Sequence, residues 1–209
     1  MCAVCGQRIA GREVCVNRLC SSADRQFNWS APVAMKVGQL DRVIRTWKDD
    51  RKWGYGVALG RILLGHLQSN RDKFGRFDLI IPSPSYRDSF YDPHYDYTAF
   101  VLAQARMHDE SGLPFAGDEP VIERTARLPR MREARNYRER ERIAQELRAT
   151  LKVQRPDVIL GRSVLVFDDV FTTGHSLNET ARALRAAGAV EVSQVVLARQ
   201  PWTEHYCGR

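Results

Sequence analysis

The sequence predicts an α/β fold, a mostly parallel sheet with helices on both faces, together with a small N-terminal four-cysteine module. Three observations lead there. Short apolar runs at residues 77–81, 163–168 and 191–198 read as strands. Segments of ten to fifteen residues with apolar positions at helical spacing alternate with them. The chain has 209 residues, 44% apolar and 27% charged, enough to bury one substantial core and carry an appendage.

The appendage comes first. Cys2, Cys5, Cys15 and Cys20 form the pattern C-x2-C-x9-C-x4-C. Close pairs let the chain fold back and present thiolates tetrahedrally to Zn(II), and Gly6 and Gly11 suit the turns required. Four cysteines leave no open coordination position, so the ion is structural and its binding is coupled to folding of the segment. The competing reading is a set of buried or redox-active thiols. Residues 1–25 are therefore expected to form a zinc-binding module and residues 26–209 the main domain, with Cys207 a free thiol.

Leu40, Val43, Ile44 and Trp47 then recur at helical spacing, and a second helix is expected over about residues 56–69. "FDLIIPSPS" supplies a strand over 77–81 that Pro82 ends. Tyr97, Val101, Leu102 and Ala105 mark another helix, and a connection leads to a short segment around Val121 and Ile122. An arginine-rich stretch follows, with Arg124, Arg127, Arg130, Arg132, Arg135, Arg138, Arg140 and Arg142 among Glu133, Glu139 and Glu141. On its own it reads as a solvated helix carrying opposite charges three and four residues apart. Helical spacing resumes at Ile143 and Leu147. The chain closes with strand 163–168, a turn, helix 176–187, Gly188 as helix stop, and strand 191–198.

None of the apolar runs approaches the roughly eighteen residues of a membrane span, and "MCAVCGQRIAG" lacks the apolar stretch of a secretion signal. A cytoplasmic protein with no membrane partner is expected. The net charge of +7 favours anionic partners and leaves nucleic acid open as one of them.

"VLVFDDVFTTGHS", residues 164–176, carries the chemistry. In an open parallel sheet, ligands collect beyond the carboxyl ends of the strands. Thr172, Thr173, Gly174 and Ser176 make a small polar turn into a helix, where backbone N–H groups and the positive end of the helix dipole suit a phosphate. Asp168 and Asp169 just before it repel each other unless sugar hydroxyls, a divalent cation or both bind them. A ribose 5-phosphate meets that description, with phosphate in the turn and the 2- and 3-hydroxyls on the two acids.

This stretch resembles the phosphoribosyl pyrophosphate (PRPP) binding motif of type I phosphoribosyltransferases: an apolar strand, two acids, two further positions, then a Thr-Gly turn with small polar residues. The order of the N-terminal cysteines, a helical region containing Lys48, the "IIPSPS" strand and loop, the arginine-rich segment and the PRPP motif is similar to that of ComF-like proteins, the amidophosphoribosyltransferase-like competence family. The chain departs from that family after Pro84, where "SYRDSFYDPHYDYTAF" replaces the usual basic "RGFNQ".

The resemblance implies displacement of pyrophosphate from C1 of the ribose by a nitrogenous acceptor, with Mg(II) at the PRPP site. PRPP contacts are then expected from Asp168, Asp169, Thr172, Thr173, Gly174, His175 and Ser176, with Ser83, Ser85 and Arg87 in the pyrophosphate loop. Within that set the His175 side chain is read as pointing to solvent and not as a general base. Catalytic roles fall to Asp168, Asp169, Arg124 and Arg127. The segment Arg124 to Arg135 occupies the place of a flexible lid that closes over the site and excludes water. Thr172 stands where enzymes acting on 6-oxopurines carry an acid, so that base-activation scheme does not apply. A PRPP- or nucleotide-binding regulator, or a DNA-uptake accessory protein without turnover, is the alternative function. The cysteine module admits a docking role besides its structural one, and the oligomeric state stays open.

Overall fold

The structure, a computed structural model, describes residues 1–9, 15–86, 96–128, 134 and 136–201. Along these residues run β1 (Ser30–Met35), α1 (Gly38–Asp49), α2 (Trp53–Ser69), α3 (Arg71–Phe74), β2 (Leu79–Pro82), α4 (Tyr97–Met107), β3 (Ile122–Arg124), α5 (Tyr137–Thr150), β4 (Leu151–Val153), β5 (Ser163–Phe171), α6 (His175–Ala186) and β6 (Glu191–Arg199). The central sheet is parallel, in the order β1-β6-β5-β2. A second, antiparallel pair joins β3 to β4, with Ile122 opposite Val153.

Parallel strands covered on both faces read as unbroken apolar runs, and Val164, Leu165, Val166 and Phe167 are all fully buried. Their side chains alternate between two cores. Leu165 and Phe167 pack with Trp47, Leu59, Leu63 and Val101 from α1, α2 and α4. Val164 and Val166 pack with Leu177, Ala181 and Leu184 of α6, and with Cys5, Leu19 and Phe27 of the N-terminal segment. The N-terminal cysteines thus share a core with the strand that carries the acidic pair.

Three features differ from the expectation. β1 has no clear sequence signal: "SAPVAM" contains Pro32, which is tolerated because β1 is an edge strand paired only with β6. β5 does not stop at Asp168 but continues to Phe171, because β6 stays in register beside it, with Val170 opposite Ala198 and Phe171 opposite Arg199. The acidic pair therefore lies within paired strand. Finally, Arg124 belongs to β3, where its N–H donates to Ser85 O at 3.0 Å and it lies opposite Leu151. That residue, the first of the segment expected as a lid, thus ends a paired strand and is not in a loop. Helix α5, capped by the Asn136 side chain accepting from Glu139 N at 2.9 Å, does show the expected outer charges, with Arg142 and Glu146 paired one turn apart. Among the described residues no helix is long and apolar enough to cross a membrane.

Candidate functional site

A cavity of about 550 Å³ opens at the carboxyl end of β5. Asp168, Asp169, Thr172, Thr173 and Ser176 line it from β5 and the turn, Ser83 and Ser85 from the end of β2, Lys48 from α1, Arg124 from β3 and Arg140 from α5. Its charged lining comprises five bases (Lys36, Arg45, Lys48, Arg124, Arg140) against four acids (Asp49, Asp96, Asp168, Asp169), a surplus of one positive charge around two adjacent carboxylates.

Two like charges in one buried place are held by unequal means. The Lys48 ammonium lies 2.5 Å from Asp169 Oδ2. Burial alone would raise the Asp169 carboxyl, but the Lys48 charge and hydrogen bond outweigh it and hold the carboxyl below its ordinary range. Burial likewise opposes the charge on Lys48, and the Asp169 charge holds the ammonium above its usual value. Asp168 is pushed up to about 7 by burial and by the neighbouring Asp169 charge; its Oδ1 accepts from Asp169 N at 2.9 Å. Arg124 is pulled down by burial, an effect opposed by Asp168 and Asp96. Its Nε is buried and has no hydrogen-bond partner among the described residues, an orphaned donor on the cavity wall.

The turn is built for an anion. Gly174 takes φ +87° and caps α6 with no side-chain hydrogen bond, so the first N–H groups of the helix keep their donors free of a cap. A Cβ at Gly174 would stand 2.6 Å from the Phe171 ring and 3.3 Å from the Leu19 side chain, so only glycine fits. The turn is also held from behind. Asn17 Nδ2 donates to Thr173 O at 3.0 Å. Arg199, 1% exposed, donates to Phe171 O at 3.1 Å, Thr172 O at 2.8 Å and Cys5 O at 3.1 Å, with its guanidinium over the Phe171 ring.

Cys2, Cys5, Cys15 and Cys20 bring their four Sγ atoms within 4.8 Å of one another, and the Cys5 and Cys15 sulfurs lie 3.7 Å apart. Metal–sulfur bonds of ~2.3 Å in a tetrahedron place sulfurs about 3.8 Å apart, so the cluster can hold a metal ion. The thiols restrain one another's ionisation. The hydrogen bond from Cys20 and the charge of Arg199 lower Cys5 to about 5 against its burial, while burial raises Cys15 to about 12. Cys20 is raised by its hydrogen bond to Cys5 and by burial. A bound cation relieves that mutual restraint.

Several expected residues stand elsewhere. Arg127 is exposed and does not line the cavity. His175 does not point to solvent: it is 6% exposed as the first residue of α6, and burial lowers it to about 4, so the ring is neutral. In the loop after β2, the Ser83 amide donates to Phe167 O at 2.7 Å and the Ser85 hydroxyl to Asp96 Oδ2 at 2.5 Å. Both donors thus anchor the loop. Gly11, Arg87, Arg130, Arg132, Glu133, Arg135 and Cys207 lie outside the described residues.

Lys48 and Arg140 were given no site role by the sequence, although each breaks a local rule. Lys48 lies four residues after the buried Ile44 and next to the fully buried Trp47, on the apolar stripe of α1. Arg140, 3% exposed, precedes Ile143 and Leu147 on the buried stripe of α5, and its Nη2 donates to Ala134 O at 3.1 Å. A charge on an apolar stripe was the available signal.

Residues 130–205, from α5 through β5, the turn, α6 and β6, match the family model for a phosphoribosyl transferase domain. The fold is accordingly phosphoribosyltransferase-like. Among solved structures the chain is similar to one titled as the allosteric regulatory enzyme of purine biosynthesis, at 22% identity and a TM-score of 0.41 over 68% of this chain. It is also similar to the glutamine PRPP amidotransferase from B. subtilis complexed with ADP and GMP, at 22% identity and a TM-score of 0.39 over 68% of this chain. The matched region spans 26% of either of those chains. No curated protein sequence matches this chain.

Proposed function

We propose that this chain is a phosphoribosyltransferase that binds PRPP and displaces its pyrophosphate with a nitrogenous acceptor, and that it is a cytoplasmic, ComF-like protein. The observation that carries the reading is one cavity with a net positive lining that holds both the acidic pair and the glycine turn at the N-terminus of α6. The 5-phosphate would sit on the α6 N–H groups with Thr172, Thr173 and Ser176 donating, and the ribose diol would reach Asp168 and Asp169. Arg124 and Arg140 would face the pyrophosphate, where a guanidinium can fork onto two oxygens. Mg(II), when bound, would neutralise charge gathering on the departing pyrophosphate, and its ligands there are hard oxygens. As the C1–O bond to pyrophosphate breaks, positive charge on the ribose ring develops beside the carboxylates, which stabilise it electrostatically. The ion proposed for the cysteine cluster is Zn(II), in keeping with four thiolate ligands and no open position.

Magnesium-dependent PRPP binding, followed by calorimetry, is expected for the wild type and lost when Asp168 and Asp169 are both replaced by Asn. Unchanged affinity in the double variant would refute the site. Pyrophosphate release with a panel of nitrogenous bases tests transfer. Tight PRPP binding with no turnover on any base, or DNA affinity that survives physiological salt, would instead assign the chain to the regulatory or DNA-accessory alternative.

A further inference from the structure

Adjacent carboxylates at the end of a strand can seat a divalent cation or hydroxyl groups, and the neighbours of Asp168 and Asp169 discriminate between the two. A dication site made of protein oxygens needs surplus negative charge and free oxygen ligands. Here Asp169 Oδ2 already has the Lys48 ammonium at 2.5 Å. Asp168 has one oxygen turned back to the Asp169 N–H at 2.9 Å and lies within electrostatic reach of the Arg124 guanidinium. Arg124 is shared between Asp168 and Asp96, so the decisive cation is Lys48, whose ammonium fills the place at Asp169 Oδ2 that a bridging dication would need.

Lys48 is not a surface lysine that happens to reach the acid. It closes the last turn of α1, next to the fully buried Trp47, and its carbonyl accepts from the Tyr97 hydroxyl at 2.8 Å. Its ammonium lies 5.4 Å from the centre of the Tyr97 ring, and Tyr97 in turn packs edge-on against Trp47. Helix α1 and helix α4 together hold the lysine over β5.

We infer that Lys48 takes the cation seat at the acidic pair, so that the free protein binds no divalent ion at these two carboxylates. Lys48 is then a positioning residue that acts through Asp169. The inference rests on reading the cavity as a PRPP site.

Mn(II) titrated into the full chain with its cysteines loaded with zinc, and followed by water-proton relaxation, reads ion binding without turnover. Without PRPP, the wild type is expected to match Asp169→Asn, both lacking an ion at this place. Lys48→Met should gain Mn(II) binding at least tenfold, and the gain should vanish when Asp169→Asn is added. Lys48→Arg, which keeps the charge, should gain none. Mn(II) bound by the PRPP-free wild type and lost in Asp169→Asn would overturn the inference, as would a folded Lys48→Met that binds no better than the wild type. If Lys48→Met does not fold, the wild type against Asp169→Asn decides. In a separate arm PRPP should bring Mn(II) into the wild type; failure there overturns the PRPP reading, while the PRPP-free arms still decide the place of Lys48.

Discussion

Replacing Gly174 by alanine puts the phosphate turn itself under strain. The residue adopts φ +87°, where a side chain costs roughly 1–2 kcal/mol through crowding of Cβ against the backbone. The added methyl would also stand 2.6 Å from the Phe171 ring. That ring cannot retreat freely. It is 2% exposed, packs edge-on against Phe27 with 6.2 Å between centroids, and has the Arg199 guanidinium 4.8 Å from its centre. Forcing extra volume into a packed site costs about 1–3 kcal/mol, so the combined penalty is ~2–5 kcal/mol. The chain can bear it in two ways, by keeping the turn and losing stability, or by opening the turn and losing the phosphate. Urea unfolding measures the first and calorimetric titration with PRPP and Mg(II) the second. Since about 1.4 kcal/mol is tenfold in affinity, a penalty of ~2 kcal/mol taken wholly in binding weakens PRPP roughly 30-fold. The two losses together should fall in the stated range. A Gly174→Ala chain that binds PRPP within about twofold of wild type and loses less than ~0.5 kcal/mol of stability would show that neither strain nor shape at this position matters.

Asp168, held at about 7, supplies a pH dependence of known sign. Between its ordinary value of 3.8 and about 7 the folded chain keeps a proton that the unfolded chain has released, so stability from this group falls as pH rises through that window. Asp168→Asn removes the cost of ionising there and should gain stability over wild type between pH 5 and 8 by ~1 kcal/mol or more, while losing PRPP affinity; a stability difference that stays flat with pH would contradict the assignment. Behind the turn, Asn17→Ala removes a buried hydrogen bond to Thr173 O and should cost about 1–3 kcal/mol. Both this change and chelation of the metal from the cysteines should speed hydrogen exchange of the 172–176 amides and weaken PRPP binding; unaltered exchange after chelation would mean that the cysteine segment does not support the turn.

The supports of that turn show where sequence reading stops. The strand, the acids and the Thr-Gly bend are contiguous, and each follows from local chemistry: apolar residues for a doubly covered strand, glycine for a positive φ, small hydroxyls before a helix. The cysteine cluster was legible for the same reason, since its ligand pairs are close in the chain and name their chemistry by residue type. Arg199 carried no such mark. At the end of β6 it reads as an ordinary charge after an apolar run, yet it is fully buried and joins the cysteine segment to the turn. Arg124 shows the opposite case, an arginine that composition reads as part of a solvated helix and the family resemblance as part of a lid, but that ends a strand paired with β4.

By itself, then, the sequence determined the α/β class, the strand–turn–helix that can receive a phosphate and the set of four thiols, because each depends on residues within a few turns of one another. Only the tertiary structure decided that Lys48 meets Asp169 across 121 positions of chain, that Asn17 and Arg199 brace the turn, and that His175 is inside. The physical reason is that a charge declares its presence locally but not its partner. Which opposite charge offsets its burial depends on how α1, β5 and the N-terminal segment pack, and no periodicity within any one of them encodes that.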